Sequence, residues 1–351
     1  AMADGGAGAG GRPAFLGVER SLSGRTWRQR PADASLVRYH MQALGLDEPL
    51  ARAMASREVG ADEGAHYLKP TLRALFPDPS CFADMDAAAA AIVDAVKRKA
   101  GIHVFADYDV DGAASAALLI RWFRAAGTEA SIYVPDRLTE GYGPSARAFD
   151  TLKASGADLV ITVDCGAAAN EALAHAAAID LPVVVVDHHL MRAEPPRALA
   201  VVNPNRSDCG SGQGVLAAAG VVFVLLAALN REGRKQGLFA ERAEPDIRRW
   251  MDLAALGAIC DVTRLSGFNR ALTGLGLKVM SDWSNPGLHA LLKAAGVEPS
   301  EAKVSHAGFI LGPRINAGGR IGRSDLGARL LSTDDATEAA RLAAELDALN
   351  V

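Results

Sequence analysis

At 351 residues the chain is long enough for two or three structural units, and half of it is hydrophobic while only 5% is aromatic, which reads as a helix-rich globular protein. The formal net charge of −4 gives no global basic signal for nucleic acid, although two divalent cations held by carboxylates would offset it, so charge excludes little here. The four cysteines, Cys81, Cys165, Cys209 and Cys260, form no CxxC pair, which excludes a zinc ribbon and a redox dithiol and suits a reducing, cytoplasmic compartment.

The N-terminus, AMADGGAGAGGRPAF, has neither a basic start nor an apolar core, so it is read as a flexible tail and not a signal peptide. A helical pattern follows over 36–75, and residues 1–75 are taken together as tail and short helical region. Between 76 and 265 short β-rich runs alternate with helical ones. The strand candidates are IHVFAD (102–107), SIYVPD (131–136), LVITVD (159–164), VVVVDHH (183–189) and ALAVVNPN (198–205). Such alternation predicts an α/β fold, an open and mainly parallel sheet flanked by helices. Near-continuous apolar strands such as VVVV are what a sheet covered on both faces requires.

The longest apolar run, 214–229, falls short of the ~20 residues needed to cross a bilayer and is assigned to a buried helix, with no membrane partner. Beyond 213 the pattern is helical, with candidates at 214–231, 246–260, 269–281, 286–294 and 324–331. Residues 266–351 are taken as a helical segment carrying a GPRINAGGR loop. They end in a linker helix with apolar Ala339, Leu342, Ala343, Leu346 and Leu349 at helical spacing.

The stretch DYDVDG (107–112) matches the opening of a calcium loop, in which ligands fall at alternate positions before a glycine. That reading fails, because the twelfth position is Leu118 and not glutamate, and because the preceding IHVFA is a strand and not a helix. A plain acidic turn also fits poorly, since three carboxylates crowded between a strand and an apolar helix repel unless a cation sits among them. Two more strand candidates end in acids: LVITVD at Asp164, and VVVVD at Asp187 followed by His188 and His189. Ligands of open α/β sheets bind beyond the carboxyl ends of the strands. Asp107, Asp109, Asp111, Asp164, Asp187, His188 and His189 are therefore expected at one edge. Carboxylates with imidazole suit manganese and admit magnesium, and this many ligands points to two ions roughly 3.5–4 Å apart. Cys165, beside Asp164, is read as a small buried residue.

Two further segments have the composition of phosphate-binding loops. RLTEGYGPS (137–145) carries Arg137 with Gly141 and Gly143, and FILGPRINAGGRIGRSD (309–325) carries Arg314, Asn316, Arg320 and Arg323 among glycines. Guanidiniums beside backbone N–H groups bind phosphate, and solvated arginines on a plain connector are the competing reading.

DYDVDG, VDCG (163–166) and DHH (187–189), in this order, resemble the motifs of the DHH phosphoesterase superfamily. With NPN (203–205), EGYG (140–143) and GPRINAGGR (312–320), the resemblance is closest to its branch of single-strand-specific exonucleases and covers roughly residues 35–350. It implies that Asp107, Asp109, Asp111, Asp164, His188 and Asp261 hold two Mn²⁺ or Mg²⁺ ions, with Asp164 bridging. His189 would then face the scissile phosphate, Asp187 would orient a histidine, and Arg137, Arg314, Asn316 and Arg320 would hold phosphates. Asp261 enters only through this resemblance, because it ends an apolar helical run. The implied activity is hydrolysis of single-stranded DNA from the 5′ end to 5′ mononucleotides in repair and recombination. The implied partners are the DNA and, as candidates, a single-strand-binding protein or a helicase. The family usually continues into a DHHA1 domain and an OB-fold, so the chain is read as the DHH core only. Two other readings compete: a DHH hydrolase of small substrates (short oligoribonucleotides, phosphoadenosine phosphate, pyrophosphate) and a non-catalytic scaffold that binds single strands.

Overall fold

The five apolar runs expected as strands pair into one sheet in the computed structural model, which describes residues 14–137, 139–191, 194–319 and 323–350. The expected tail over 1–13 lies outside the described residues. The chain divides into two compact units, Ala1–Lys69 and Pro70–Val351.

The first unit contains α1 (Ala34–Leu44), α2 (Glu48–Ala55) and α3 (Gly64–Leu68). Asp33 starts α1 by accepting the N–H groups of Ser35 and Leu36 at 2.7 and 3.1 Å, and Gly45 stops it in the left-handed conformation. Val37, Ala51 and Ala55 form a small core between α1 and α2.

The second unit opens with α4 (Leu72–Leu75) and α5 (Met85–Lys97) and then alternates. In chain order come β1 (Ile102–Ala106), α6 (Val110–Ala125), β2 (Ala130–Tyr133), α7 (Ala146–Ala154), β3 (Leu159–Val163), α8 (Asn170–Ala178), β4 (Val183–Val186) and β5 (Ala200–Val202). All pairings are parallel and the order is β2-β1-β3-β4-β5. The chain thus leaves β1 towards β2 and later returns to the other side of β1 with β3. That reversal between β1 and β3 is the place where open α/β sheets bind ligands.

Side chains alternate between the faces as the pleat demands. Val104, Ala106, Ile161, Val163, Val184 and Val186 join the core under α5, α6 and the later α9. Phe105, Val160, Val185 and Val201 pack with Phe149 and Leu152 of α7 and Leu173 and Ala176 of α8. Each fully buried valine, leucine, isoleucine or phenylalanine among them contributes roughly 1.5–3 kcal/mol.

The remaining elements are helical: α9 (Ala218–Lys235), α10 (Met251–Cys260), α11 (Gly267–Met280), α12 (Pro286–Ala294), a π-helix (His306–Leu311), α13 (Gly312–Gly318), α14 (Leu326–Ser332) and α15 (Ala336–Leu349). Helix α6 is buried from Val110 to Phe123 and packs on β1, α9, α10 and α14, which explains its lack of a polar face. Among the described residues no helix is long and apolar enough to cross a membrane.

One expectation is corrected here. The segment from 309 was read as a glycine-rich loop, but it is helical through Gly318. Pro313 sits in the first turn of α13, where its missing N–H and fixed φ are tolerated, and Ile315 and Ala317 are buried. Arg320 lies outside the described residues.

Candidate metal centre

Each acid at the sheet edge is fixed by a local backbone device. After β1, Asp107 accepts the N–H of Tyr108 through Oδ1 at 2.8 Å, and Asp109 caps α6 by accepting the Gly112 N–H at 2.9 Å. The turn requires glycine at 112, because a Cβ there would lie 2.3 Å from the Asp107 carbonyl oxygen. Asp111, in the first turn of α6, accepts the N–H groups of Ala218 and Ala219 at 2.7 and 2.9 Å and so anchors the start of α9. Helix α10 approaches Asp111 closely because Gly257 has no side chain; a Cβ would stand 2.5 Å from Asp111 Oδ1.

After β3, Asp164 holds φ at +60°, a left-handed conformation that costs a non-glycine residue about 1–2 kcal/mol. After β4, Asp187 accepts N–H groups from Ala167 (2.9 Å), His188 (2.7 Å) and His189 (3.2 Å), and the Nδ1–H of His189 (2.7 Å). Asn203 and Asn205, just past β5, donate to the carbonyls of His189 and His188 and hold that loop in place. Asp261 caps the end of α10.

These devices bring the acids and histidines together. His188 Nε2 lies 3.3 Å from Asp164 Oδ1 and 3.7 Å from Asp111 Oδ2, and His188 Nδ1 lies 3.8 Å from Asp261 Oδ2. His189 Nδ1 is 4.0 Å from Asp164 Oδ1. Among the described residues three sets could each hold an ion, their ligand atoms lying within 4.8 Å of one another: Asp107 with Asp109 and Asp164; Asp111 with His188 and Asp261; and Asp164 with His188 and His189.

The electrostatics show the strain of this convergence. Burial, reinforced by Asp109, pushes the Asp107 carboxyl up to about 7. Burial pushes Asp111 up to about 8 despite its backbone hydrogen bonds. Asp164 is driven well above the carboxylate range by burial, then by the charges of Asp111 and Asp109. Asp261 is raised by burial against the pull of His188, and burial keeps His188 below its ordinary value. Asp187 behaves differently. Burial opposes its charge, but the hydrogen bond and charge of His189 with the backbone N–H groups bring it below the usual value. The same bond raises His189, against a smaller burial effect. Asp164 Oδ1 is buried without a hydrogen-bond partner, in reach of two histidines, and the Asp164 side chain also groups with Asp107 and Asp109. An orphaned oxygen among acids that cannot all ionise fits a cation.

The expected phosphate-binding residues are placed less uniformly. The Arg137 guanidinium lies 5.3 Å over the ring of Tyr108, at the acidic turn. Asn316 accepts the Val110 N–H at 3.1 Å and so buttresses that turn from α13. Arg314 donates to Asp347 of α15 at 2.7 Å and to the Ile310 carbonyl at 3.0 Å, which occupies two of its nitrogens. Cys165 is buried, as expected. The holding roles of Asn203 and Asn205 were not assigned from sequence; NPN after an apolar run was the only trace. A cavity of about 520 Å³ opens beside His189, lined by Tyr142, Gly166, Ala167, Leu190 and Met191 among others.

The parallel sheet, its switch point and the carboxylates with paired histidines at its edge define the class: residues 101–258 match the DHH family, N-terminal domain, and the chain belongs to the DHH family. Within that class it is similar to RecJ proteins. It is 39% identical to the single-stranded-DNA-specific exonuclease RecJ of Salmonella typhimurium over 93% of this chain and 56% of that protein. The RecJ of Thermus thermophilus is 37% identical over 90% of this chain and 46% of its own. Among solved structures, exonuclease RecJ bound to manganese superposes with a TM-score of 0.66 and 36% identity, covering 76% of this chain and 66% of that one. RecJ of T. thermophilus in complex with Mn²⁺ gives 0.73 at 32% identity, covering 92% and 44%. The chain spans about half the length of the curated relatives it matches.

Proposed function

We propose that the chain is the catalytic core of a divalent-cation-dependent exonuclease that hydrolyses single-stranded DNA from its 5′ end to 5′ mononucleotides. One observation carries this reading. The buried, unpartnered Asp164 Oδ1 sits where carboxylates from β1 and histidines from the end of β4 converge. Asp107, Asp109, Asp111, Asp164, His188 and Asp261 would hold two Mn²⁺ or Mg²⁺ ions, with Asp164 between them. When bound, such ions neutralise phosphoryl charge and acidify a water molecule.

The protein's own groups supply the rest. Asp187 fixes the His189 ring through Nδ1 and favours its protonated form, so that Nε2 can donate to a phosphoryl oxygen. Asn203 and Asn205 keep both histidine backbones in place. Arg137 and Arg320 would hold phosphates directly, whereas Asn316 and Arg314 act by positioning the acidic turn and α13. Single-strand preference needs no base-edge readout, only a channel that tracks the backbone and excludes a duplex. The relatives' names support this substrate, and their RecJ crystals with Mn²⁺ support the metal. On this reading the protein works in the cytoplasm, where a single-strand-binding protein or a helicase would supply the strand.

The test is an assay on 5′-labelled single-stranded DNA with Mn²⁺ or with EDTA, beside duplex DNA and phosphoadenosine phosphate, on this chain and on any longer form. Release of 5′ mononucleotides only with Mn²⁺ and only from the single strand is expected. Preference for phosphoadenosine phosphate would favour the small-substrate hydrolase. Binding of the strand without cleavage in any form would favour the scaffold.

A further inference from the structure

Next to Asp261 in the chain stands a strained and exposed valine, and an exposed phenylalanine lies on the segment packed against the same turn of α10. Helix α10 ends in a closed cap. The Val262 N–H donates to the Ile259 carbonyl at 3.2 Å and the Thr263 N–H to the Ala258 carbonyl at 3.2 Å. This pattern places a left-handed residue just after the helix, where glycine is the usual choice. Here it is Val262 at φ +56°, a β-branched residue in a conformation that such side chains avoid. Its side chain is not buried in compensation, because the residue is 87% exposed.

Packed on the same last turn of α10 is the π-helix His306–Leu311, a rare geometry that concentrates at functional sites. Its Ala307 carbonyl receives the Cys260 thiol at 3.5 Å, and Gly308 faces Ile259. From this turn Phe309 projects at 79% exposure. Neither the strained valine nor the solvated phenylalanine stabilises the fold by burial at this edge of the charged site. The strain is held where one side chain adjoins Asp261 in the chain and the other lies on the segment packed beside it.

We infer that Phe309, with Val262, forms a platform on which a nucleobase of the bound single strand stacks. The platform positions the strand while its phosphate lies at the carboxylates. This rests on the exonuclease reading and adds the base-contacting surface to it. A strand drawn across the acidic edge must place its bases somewhere, and an aromatic face accepts any base without reading sequence. Phe309 and Val262 are positioning residues, since neither bears a group that acts on the phosphate.

The experiment uses the full-length protein and two 5′-labelled strands, oligothymidylate and one whose 5′-terminal nucleotides are abasic. Phe309→Ala is expected to lower kcat/KM on oligothymidylate roughly 10-fold, mainly through KM, with Phe309→Tyr restoring it. On the abasic strand the wild type should already show that loss, and Phe309→Ala should add nothing. Val262→Gly should raise Tm, because glycine suits the left-handed cap, while lowering kcat/KM on oligothymidylate alone. Equal losses on both strands would mean a merely structural role and would overturn the platform, as would an unchanged KM in Phe309→Ala. A wild type that cleaves neither strand would overturn the exonuclease reading itself, and the platform with it. Binding provides a second readout. In EDTA, Phe309→Trp should change its fluorescence when oligothymidylate is added but not when the abasic strand is added, and no difference between strands overturns the inference.

Discussion

The two ends of α6 hold polar clusters of opposite kinds. At its N-terminus stand Asp109 and Asp111, and roughly 15–23 Å along the axis, at 1.5 Å per residue, stand Arg121 and Arg124. Both signs suit the helix dipole. The far cluster is complete within the protein. Arg121 donates to the Leu331 carbonyl at 3.0 Å, to the Thr333 carbonyl at 3.1 Å and to Asp334 at 2.7 Å, and Arg124 donates to the Ser332 carbonyl at 2.9 Å and to Asp334 at 2.6 Å. The near cluster is not complete, since it gathers carboxylates of one sign and leaves Asp164 Oδ1 without a partner. Buried charge is therefore no sign of a ligand site by itself. The sign is charge that the protein does not answer.

The sharpest way to break this contrast is Asp164→Ala. Loss of the carboxylate shared by two of the candidate sets should reduce single-strand hydrolysis on the order of 10³-fold or more and weaken Mn²⁺ binding, as measured by calorimetry. The metal-free variant should also melt higher than metal-free wild type. The raised carboxyls make wild-type stability fall as pH rises towards the folded values of about 7 for Asp107 and about 8 for Asp111. Wild-type activity in Asp164→Ala would erase the distinction.

The far cluster should respond in the opposite way. Arg121→Leu takes one of two donors from the Leu331 carbonyl, which keeps Asn285, removes the donor to the Thr333 carbonyl and takes away one partner of Asp334, so urea unfolding should show a loss of about 3 kcal/mol. Hydrolysis per folded molecule should be unchanged.

Asp187→Asn tests a group beside the near cluster that is itself satisfied. Activity should fall roughly 10–100-fold. Asp187 holds His189 above its ordinary value, so its removal should also move the alkaline limb of kcat to lower pH.

The smallest effect is expected at Asp252, whose carboxyl is pushed up to about 6 by burial, against the opposing pull of the Leu253 N–H and Arg121. A raised folded value contributes stability below about 4 that is lost as pH rises through about 6. Asp252→Asn should therefore be on the order of 1 kcal/mol more stable than wild type at pH 8, with little difference at pH 4 in matched melting curves.

The sheet and most of the near cluster were legible in the sequence for one reason. An apolar run that ends abruptly in Asp107, Asp164 or Asp187 reports both a buried strand and an edge where charge collects. Asp261 was opaque to that logic, because it follows a helix apolar on all sides, and nothing local separates a capping acid from a ligand. Its visible trace is Gly257, whose absent side chain lets α10 reach Asp111, but a lone glycine in a helix has many explanations. The segment from 309 was misread because its glycines suggest a loop, whereas the partners that hold it, Val110 and Asp347, lie 206 and 33 residues away from Asn316 and Arg314.

The carboxylate of Asp111 serves two elements at once, since the oxygens offered to the centre also receive the first amides of α9. Whatever draws electron density from that group, a proton or a bound ion, weakens the grip on the helix start. The opening turn of α9 is thus a built-in gauge of the site's charge state, legible as the hydrogen-exchange rates of Ala218 and Ala219.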